Sequence, residues 1–191
     1  MKIRILAVGV ALLLTLTGCT SDPLANDLGD GSGTTTGDGA YLELSQAERD
    51  EPIVFEGTDV EGNPVSSDQF SGQVYVVNFW YASCPPCRVE APILKSLSEE
   101  YVDVPFLGVN IDDTADFAAT FERTFGIRYP SILDNETAAV QLAFAGVVAP
   151  NAVPTTLVID SEGRVAARIS GLIRDESILA GMIDAVLDED R

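Results

Sequence analysis

The sequence predicts an α/β fold, in which strands and helices alternate along the chain. Three apolar runs have the length of buried strands and lie at residues 74–80, 106–111 and 155–159. Segments in which apolar residues recur with a helical spacing lie between and after these runs. Alternation of this kind is typical of a central sheet with helices packed against it.

The strand at residues 74–80 is expected to be central, because its apolar character is nearly continuous. Before it, residues 53–55 form a short predicted strand, and Glu61-Gly62-Asn63-Pro64 has the composition of a turn. Residues 66–71 are expected to make one helical turn.

The first long helix is predicted to begin at Pro85 and Pro86, because the first turn of a helix tolerates proline. Pro92 lies inside this helix, where it removes a hydrogen bond and is expected to cause a kink. The apolar residues recur every four positions and are expected to form one stripe, made of Val89, Ile93, Leu97 and Tyr101.

The second half of the chain continues the alternation of strands and helices. Phe117, Phe121 and Phe125 mark a helix that is expected to end at Gly126. The other predicted elements are a cap at Asp112-Asp113-Thr114, an extended segment at residues 129–133, a helix at 137–144, a hairpin that pairs 155–159 with 164–169 through a turn at 160–163, and a last helix at 177–187.

The N-terminus has the features of a secretion signal at residues 1–18. Lys2 and Arg4 precede an apolar run at residues 5–14, which is too short for a comfortable membrane span. The run ends at Leu16-Thr17-Gly18-Cys19, which resembles the bacterial lipobox. That resemblance implies that Cys19 becomes the first mature residue and carries a lipid, and the alternative is an ordinary signal with a chance cysteine.

The segment after the signal is rich in Gly, Ser, Thr and Asp. Residues 19–45 are therefore predicted to form the lipidated cysteine and a flexible linker, because such a composition cannot bury a core. Residues 46–191 are predicted to form one folded domain.

The charge of the chain argues against whole classes of partner. The 191 residues carry 11 basic and 30 acidic side chains, for a formal net charge of −19. Such a surface repels nucleic acid and anionic lipid headgroups, so nucleic acid is not expected as a partner. The sequence has no histidine, which excludes a catalytic site based on that residue.

Cys84-Pro85-Pro86-Cys87 places two cysteines where the central strand ends and the first helix begins. The unpaired N–H groups at a helix N-terminus favour a thiolate, the species that attacks disulfides. A structural zinc site needs four ligands, and Cys19 is the only further cysteine, which argues against zinc. A purely structural disulfide is the other alternative.

The order of these motifs resembles the thioredoxin fold and, more narrowly, the TlpA/ResA-type family of extracytoplasmic, membrane-anchored thiol–disulfide oxidoreductases. The resemblance covers roughly residues 50–188 and implies a central mixed sheet flanked by helices, with an N-terminal extension and a central helix and strand insertion. The motifs that carry it are Val77-Asn78-Phe79-Trp80, Cys84-Pro85-Pro86-Cys87-Arg88-Val89-Glu90-Ala91-Pro92, Gly108-Val109-Asn110-Ile111-Asp112 and Val153-Pro154-Thr155-Thr156.

The family resemblance assigns roles to the two cysteines and to one carboxyl. Cys84 is expected to be the nucleophile and the more exposed of the pair, and Cys87 is expected to resolve the mixed disulfide. Glu90 matches an acid of the family that is implicated in proton handling near the dithiol, and the alternative is a glutamate that merely favours the helix dipole. Thioredoxin itself has a buried Asp at the place of Asn78; Asn is common there in this family, but it cannot titrate.

The resemblance also implies a substrate groove beside the dithiol. Pro154 is expected to form a cis peptide bond and to leave the Val153 backbone free to pair with an extended substrate; the alternative is an ordinary trans proline. The residues expected to line the groove are Trp80, Pro85, Pro86, Val153 and Pro154.

The predicted function is a thiol–disulfide oxidoreductase that acts on cysteine pairs of exported proteins, outside the cell membrane and anchored to it by Cys19. The resemblance implies a reductant, for example in cytochrome c maturation, that a membrane electron carrier recycles. No metal and no cofactor is expected beyond the Cys84–Cys87 disulfide.

Three other functions are weighed against this one. The first is oxidation or isomerisation of disulfides in exported proteins. The second is a peroxiredoxin-like peroxidase, which the absence of its Pro-x-x-x-Thr-x-x-Cys motif disfavours, since Val77 and Tyr81 occupy the Pro and Thr positions before Cys84. The third is a binding lipoprotein that does not need the dithiol.

Overall fold

The structure is a computed structural model that describes residues 34–36, 41–149 and 151–189. The predicted signal at residues 1–18 and the predicted lipidation of Cys19 lie outside these residues and stay predictions. In the part of the chain that is described, no helix combines the length and the apolar character needed to cross a bilayer.

A mixed sheet with helices on its faces confirms the predicted α/β, thioredoxin-like architecture. Its order is β1-β2-β9-β8-β5-β6-β7, in which β5, β6 and β7 run parallel and the other neighbours pair antiparallel. β3 and β4 form a separate hairpin. The strands are β1 (Thr34–Thr36), β2 (Tyr41–Glu43), β3 (Glu56–Thr58), β4 (Pro64–Ser66), β5 (Tyr75–Trp80), β6 (Phe106–Asn110), β7 (Ser131–Leu133), β8 (Thr155–Ile159) and β9 (Val165–Ser170).

Four α-helices accompany these strands within the described residues. They are α1 (Pro85–Glu100), α2 (Ala115–Phe125), α3 (Ala139–Ala143) and α4 (Glu176–Glu189). The predicted helical turn at residues 66–71 is a 3-10 helix at Ser67–Phe70. As predicted, α2 ends at Gly126, whose positive φ of 72° suits a residue without a Cβ.

The central strand β5 is buried on both faces, as its continuous apolar run predicted. Side chains alternate between the two faces of a strand. Tyr75, Val77 and Phe79 pack into one core cluster, while Val76 packs into a second cluster with α1 and α4. Asn78 and Trp80 share the face of Val76, which directs them toward the dithiol helix.

The apolar stripe predicted for α1 is wrong at its first residue. Val89 is 63% exposed, and the buried residues of the helix are Cys87, Glu90, Ala91, Leu94 and Leu97. A spacing of four residues drifts around a helix of about 3.6 residues per turn, so it cannot stay on one face. Pro92 lies within α1 as expected.

The strand predicted at residues 53–55 is also wrong. Ladder pairing begins at Glu56, after this segment. Phe55 is 4% exposed and packs into the core. The Ile53 N–H donates to the Gly163 carbonyl in the hairpin turn at 2.9 Å. The Phe55 carbonyl accepts the Ser67 N–H at 3.0 Å. The apolar residues of the segment therefore reflect core packing and two separate backbone contacts, not a strand.

Two strands lie inside the segment predicted to be a linker at residues 19–45. β2 pairs antiparallel with β9, and β1 pairs with β2. The sheet therefore begins before residue 46, and the predicted boundary is too late. Backbone N–H and C=O groups can pair with an open sheet edge whatever the side chains are, so a polar composition did not reveal these strands.

Candidate active site

Cys84 and Cys87 form a disulfide at the point where β5 passes into α1. Cys84 is the N-cap residue of α1, and its Sγ accepts a hydrogen bond from the Cys87 N–H at 3.2 Å. The helix N-terminus therefore points a donor and its positive dipole end at the Cys84 sulfur. Both features stabilise a thiolate at Cys84 once the disulfide is reduced.

The predicted difference in exposure between the two cysteines is not present in this disulfide form. Cys84 is 1% exposed and Cys87 is 2% exposed. The Cys84 sulfur turns back over the first turn of α1, where it bonds to Cys87 and accepts its N–H. Position at the helix terminus, and not accessibility, distinguishes Cys84 here.

Glu90 lies inside the protein, on the buried face of α1. Its side chain is fully buried at 0% exposure. Asn78 Nδ2 donates to Oε1 at 3.0 Å, and the Ile173 N–H donates to Oε2 at 3.0 Å. Burial raises the pKa of Glu90 to about 7, and the two donors act in the opposite direction. This burial argues against the alternative of a surface glutamate that only favours the helix dipole.

Asn78 joins Glu90 to the central sheet. Its Nδ2 also contacts Thr156 Oγ1 at 3.0 Å, on the neighbouring strand β8. The sequence identified Asn78 through the family motif but did not reveal this contact, because the partners lie 12 and 78 positions away along the chain. Asn78 cannot titrate, so Glu90 is the ionisable member of this group.

The Val153–Pro154 peptide bond is cis, as the motif predicted. Val153 packs against the cluster that contains both cysteines. Its backbone N–H and C=O make no hydrogen bond within the described residues, whereas the Pro154 carbonyl accepts the Gly171 N–H at 2.8 Å. Val153 therefore presents a free backbone edge next to the dithiol.

The other predicted groove residues divide between surface and core. Pro85 is exposed and Pro86 is half-buried at the start of α1. Trp80 is 4% exposed and packs on Phe121 with the ring centroids 4.4 Å apart. The prediction that Trp80 lines the groove surface is therefore wrong, because its side chain fills the core behind the dithiol.

An apolar recess borders Val153 on the side of α3. It has a volume of about 260 Å³, and its wall includes Phe79, Ile111, Ala145, Ala149 and Val153. Leu142 stands at this recess with 70% of its side chain exposed. The recess is therefore an apolar depression in the surface next to the free backbone of Val153.

Two side chains that the sequence did not assign to the site hold the loop before Cys84. The Asp113 carboxylate accepts the Ala82 N–H at 2.5 Å and Asn110 Nδ2 at 2.8 Å. Arg88 Nη1 donates to the Ala82 carbonyl at 3.1 Å, and its guanidinium lies 5.1 Å from the Phe125 ring centroid. The cap predicted at Asp112-Asp113-Thr114 is confirmed at Thr114, which is the N-cap residue of α2.

No cluster of three or more His, Cys, Asp or Glu side chains suited to a metal ion occurs among the residues that the structure describes. The groups that the described site offers are the disulfide, the helix terminus, the buried Glu90 and the cis-proline edge.

Comparison with known proteins places this geometry in a family. The model of the Redoxin family matches residues 44–183. The chain belongs to the redoxin family. Within it, the similarity to HelX and ResA proteins marks the chain as a thioredoxin-like oxidoreductase of the TlpA/ResA type.

Two sequence relatives and one solved structure illustrate this membership. The thiol:disulfide interchange protein HelX of Rhodobacter capsulatus is 33% identical over 147 residues, which span 76% of this chain and 80% of HelX. The thiol-disulfide oxidoreductase ResA of Bacillus cereus is 27% identical over 116 residues. These residues span 60% of this chain and 64% of ResA, which is slightly less than two thirds of that relative.

The solved structure is that of a secreted thiol-disulfide isomerase from Corynebacterium glutamicum. It is 28% identical to this redoxin, with a TM-score of 0.69, and the match covers 80% of this chain and 99% of that one. The shared fold therefore includes nearly the whole of the isomerase domain.

Proposed function

We propose that the protein exchanges the Cys84–Cys87 disulfide with cysteine pairs of exported proteins. The observation that carries this proposal is the position of Cys84 at the N-cap of α1, in one packed cluster with Val153 of the cis-proline edge. A purely structural disulfide needs neither the helix terminus nor the free backbone edge.

In the reductive direction, the Cys84 thiolate attacks one sulfur of a client disulfide. A mixed disulfide forms, and the other client sulfur leaves as a thiolate that takes a proton from solvent. Cys87 then loses its proton and attacks the Cys84 sulfur. The Cys84–Cys87 disulfide forms, the second client cysteine leaves as a thiolate, and two electrons have passed from the protein dithiol to the client.

The Val153 edge supports client binding in this scheme. An extended client segment can pair its backbone with the free Val153 N–H and C=O, as strands add to an open edge. Backbone pairing recognises an extended segment irrespective of its side chains. The apolar recess beside α3 then offers a surface for a neighbouring side chain of the client.

We assign the protein the role of a reductant, for example toward the haem-binding cysteines of cytochrome c precursors. The family resemblance implies this direction, and the buried Glu90 supports it, because its charge opposes thiolate formation nearby. The competing role is isomerisation or oxidation, and the similarity to a secreted isomerase favours it.

The equilibrium reduction potential of the Cys84–Cys87 couple decides between these roles. We expect a value nearer to that of thioredoxin, about −270 mV, than to that of DsbA, about −120 mV. Equilibration with glutathione or dithiothreitol buffers, followed by alkylation and mass spectrometry, measures it. A value close to that of DsbA would replace the reductant role with the oxidase role.

Client trapping tests the roles of the two cysteines. Cys87→Ser should accumulate mixed disulfides with exported proteins, because the resolving sulfur is missing. Cys84→Ser is the matched control and should trap none, because it lacks the attacking sulfur. Trapping by the Cys84 variant alone would reverse the assignment.

In the cell, we place the protein outside the cytoplasmic membrane with Cys19 as its lipid anchor. A membrane electron carrier would recycle the dithiol, and no cofactor beyond the disulfide takes part. Mass spectrometry of the membrane fraction should find a diacylated or triacylated Cys19. A protein released in soluble form after cleavage elsewhere would contradict the anchor without affecting the exchange chemistry.

A further inference from the structure

A small cavity lies behind Cys87, between α1, α2 and β7. Cys87, Asn78, Trp80, Phe121 and Ser131 contribute to its wall, and its volume is about 10 Å³. A cavity of about this size holds one water molecule when polar groups line it. The cysteine that is expected to resolve the mixed disulfide thus borders a cavity large enough for one water molecule.

The hydroxyl of Ser131 in this wall has no partner. Ser131 is 1% exposed, and its Oγ makes no hydrogen bond to any described residue. Buried hydroxyls in proteins nearly always have a partner, which can be an ordered water. Glycine at position 108 leaves space for this hydroxyl, because a Cβ there would lie 2.2 Å from Ser131 Oγ.

A second buried atom without a hydrogen-bond partner belongs to Glu122 on α2. Its Oε1 is buried and has no hydrogen-bond partner among the described residues. Burial raises the pKa of Glu122 to about 7; the Ser131 hydroxyl and Arg123 lower it, while the charges of Glu61 and Asp59 raise it further. Ser131 is thus close enough to act on this carboxyl, although no hydrogen bond of ordinary geometry joins the two.

Glu90, the other carboxyl whose pKa is raised, is engaged differently. Both oxygens of Glu90 accept a hydrogen bond from the protein, whereas Glu122 Oε1 accepts none. Tyr129, also in the cavity wall, lies near both carboxyls: burial raises its pKa, and the charges of Glu90 and Glu122 raise it further. Glu90 therefore has a donor on each oxygen, whereas Glu122, on which Ser131 of the cavity wall acts, keeps an open lone pair on Oε1.

We propose that Glu122 accepts the proton of Cys87 through the Ser131 hydroxyl and a water in this cavity. The proposal rests on the proposed exchange function and concerns the step in which Cys87 resolves the mixed disulfide. The Cys87 thiol gives its proton to the water, the water gives one to Ser131 Oγ, and Ser131 gives one to the Glu122 carboxylate. The resulting Cys87 thiolate attacks Cys84 Sγ, and the client sulfur leaves with the electron pair of the broken bond.

The resolution step can be isolated with Ellman's reagent on the reduced full chain. Cys84 first forms an adduct with thionitrobenzoate, and the attack of Cys87 then releases a second thionitrobenzoate anion that is followed by absorbance. Stopped-flow rates of this second release across pH 5–9 are compared for wild type, Glu122→Gln and Ser131→Ala.

The two roles open to Glu122 predict opposite changes. If Glu122 accepts the proton, Glu122→Gln slows the second release near pH 7 by about tenfold or more and flattens its rise with pH. If Glu122 acts only as a negative charge, its removal favours the Cys87 thiolate and the release becomes faster. Ser131→Ala retains the carboxylate and should slow the release in the same way.

Glu61→Gln is the matched control for charge. Glu61 is an exposed carboxylate whose charge acts on Glu122. Its replacement should leave the release rate at neutral pH within about twofold. The double variant Glu122→Gln/Ser131→Ala should be no slower than the slower single variant if both act on one route.

The outcomes separate this proposal from the proposed function. A wild type that never releases the second thionitrobenzoate would overturn the exchange function and the route together. A wild type that releases it, with unchanged or faster release in Glu122→Gln and Ser131→Ala, would overturn the route alone. Ser131→Ala keeps the test decisive if Glu122→Gln does not fold, because it removes an unpartnered hydroxyl from the protein.

Discussion

At the scale of single residues, the ionisation of Glu90 is expected to affect the reduction potential of the Cys84–Cys87 couple. Its carboxylate is buried on the same face of α1 as Cys87, and its negative charge opposes thiolate formation there. Glu90→Gln should therefore lower the pKa of at least one cysteine. Because thiolates stabilise the reduced form near neutral pH, the variant should be more oxidising than wild type.

Thiolate absorbance against pH and equilibration with glutathione measure these two changes. Glu136→Gln is a suitable control, since Glu136 is an exposed carboxylate at the start of the segment that leads to α3. Identical cysteine titrations in wild type and Glu90→Gln would limit Glu90 to a structural role beside Asn78.

Two carboxyls with raised pKa values also make folding stability depend on pH. Burial raises the pKa of both Glu90 and Glu122 to about 7 in the folded protein. Between pH 4.5 and 7 the folded state holds protons that the unfolded state has released, so the free energy of unfolding should fall as pH rises. A pKa that differs by one between the folded and unfolded states corresponds to about 1.4 kcal/mol, and to less for the half-buried Glu122.

Urea unfolding at pH 5 and pH 8 tests this dependence. The free energy of unfolding of wild type should fall by a few kcal/mol over this interval, and that of Glu90→Gln should fall by less even if its absolute stability is lower. An equal loss in both proteins would show that Glu90 is ionised in the folded state throughout this range.

At the scale of elements, the approach of β7 to β6 depends on one glycine. A Cβ at Gly108 would meet Ser131 Oγ at 2.2 Å and Trp80 Nε1 at 2.8 Å, so neighbouring side chains would have to move. Gly108→Ala should destabilise the protein by about 1–3 kcal/mol, as overpacked cores do. Gly146→Ala is the control, because nothing lies within 4 Å of its added Cβ.

Chemical denaturation of the two alanine variants at one pH provides the comparison. Gly146→Ala should stay within about 0.5 kcal/mol of wild type. Equal stability of the two variants would mean that β7 shifts to accommodate the methyl group without cost.

The elements themselves show where sequence patterns were sufficient. β5, β6, β8 and the hairpin with β9 follow from continuous apolar runs and a turn motif, because these strands are buried on both faces. The buried face of α1 did not follow, because Glu90 and Cys87 occupy core positions that an apolar pattern does not count. The cavity at Ser131 was not predicted for a related reason. Its wall includes residues of α1, α2 and β7, which come together only in the folded protein.

The parts of the site that lie within a short sequence motif could be predicted from the sequence. Cys84, Cys87 and Pro154 were identified from local motifs, and their positions in the structure agree with those motifs. The loop contacts of Asp113 and the partners of Glu90 depend on contacts between distant segments, for which no local spacing exists.

At the scale of the molecule, the N-terminal segment closes the sheet and one end of the fold. β2 covers the edge of β9, and the Leu44 N–H donates to the Ala166 carbonyl at 2.8 Å. The buried Arg49 donates to the Leu44 carbonyl and to Asp160 at 3.0 Å, and also pairs with Glu189 of α4. One arginine therefore connects the N-terminal segment, the hairpin turn and the last helix.

Two truncations test how much of this segment belongs to the folded domain. Removal of residues 1–40 keeps β2, Leu44 and Arg49, and should reduce the free energy of unfolding by less than about 1 kcal/mol, because it deletes only the edge strand β1 from the described sheet. Removal of residues 1–45 deletes β2 and the Leu44 carbonyl that Arg49 binds, and leaves the β9 edge open. This loss of a strand and of a buried hydrogen bond should cost about 2–4 kcal/mol more.

Urea titration of both proteins, with disulfide content checked by mass spectrometry, measures the difference. Equal stability would restore the boundary at residue 46 and reduce β2 to a dispensable edge.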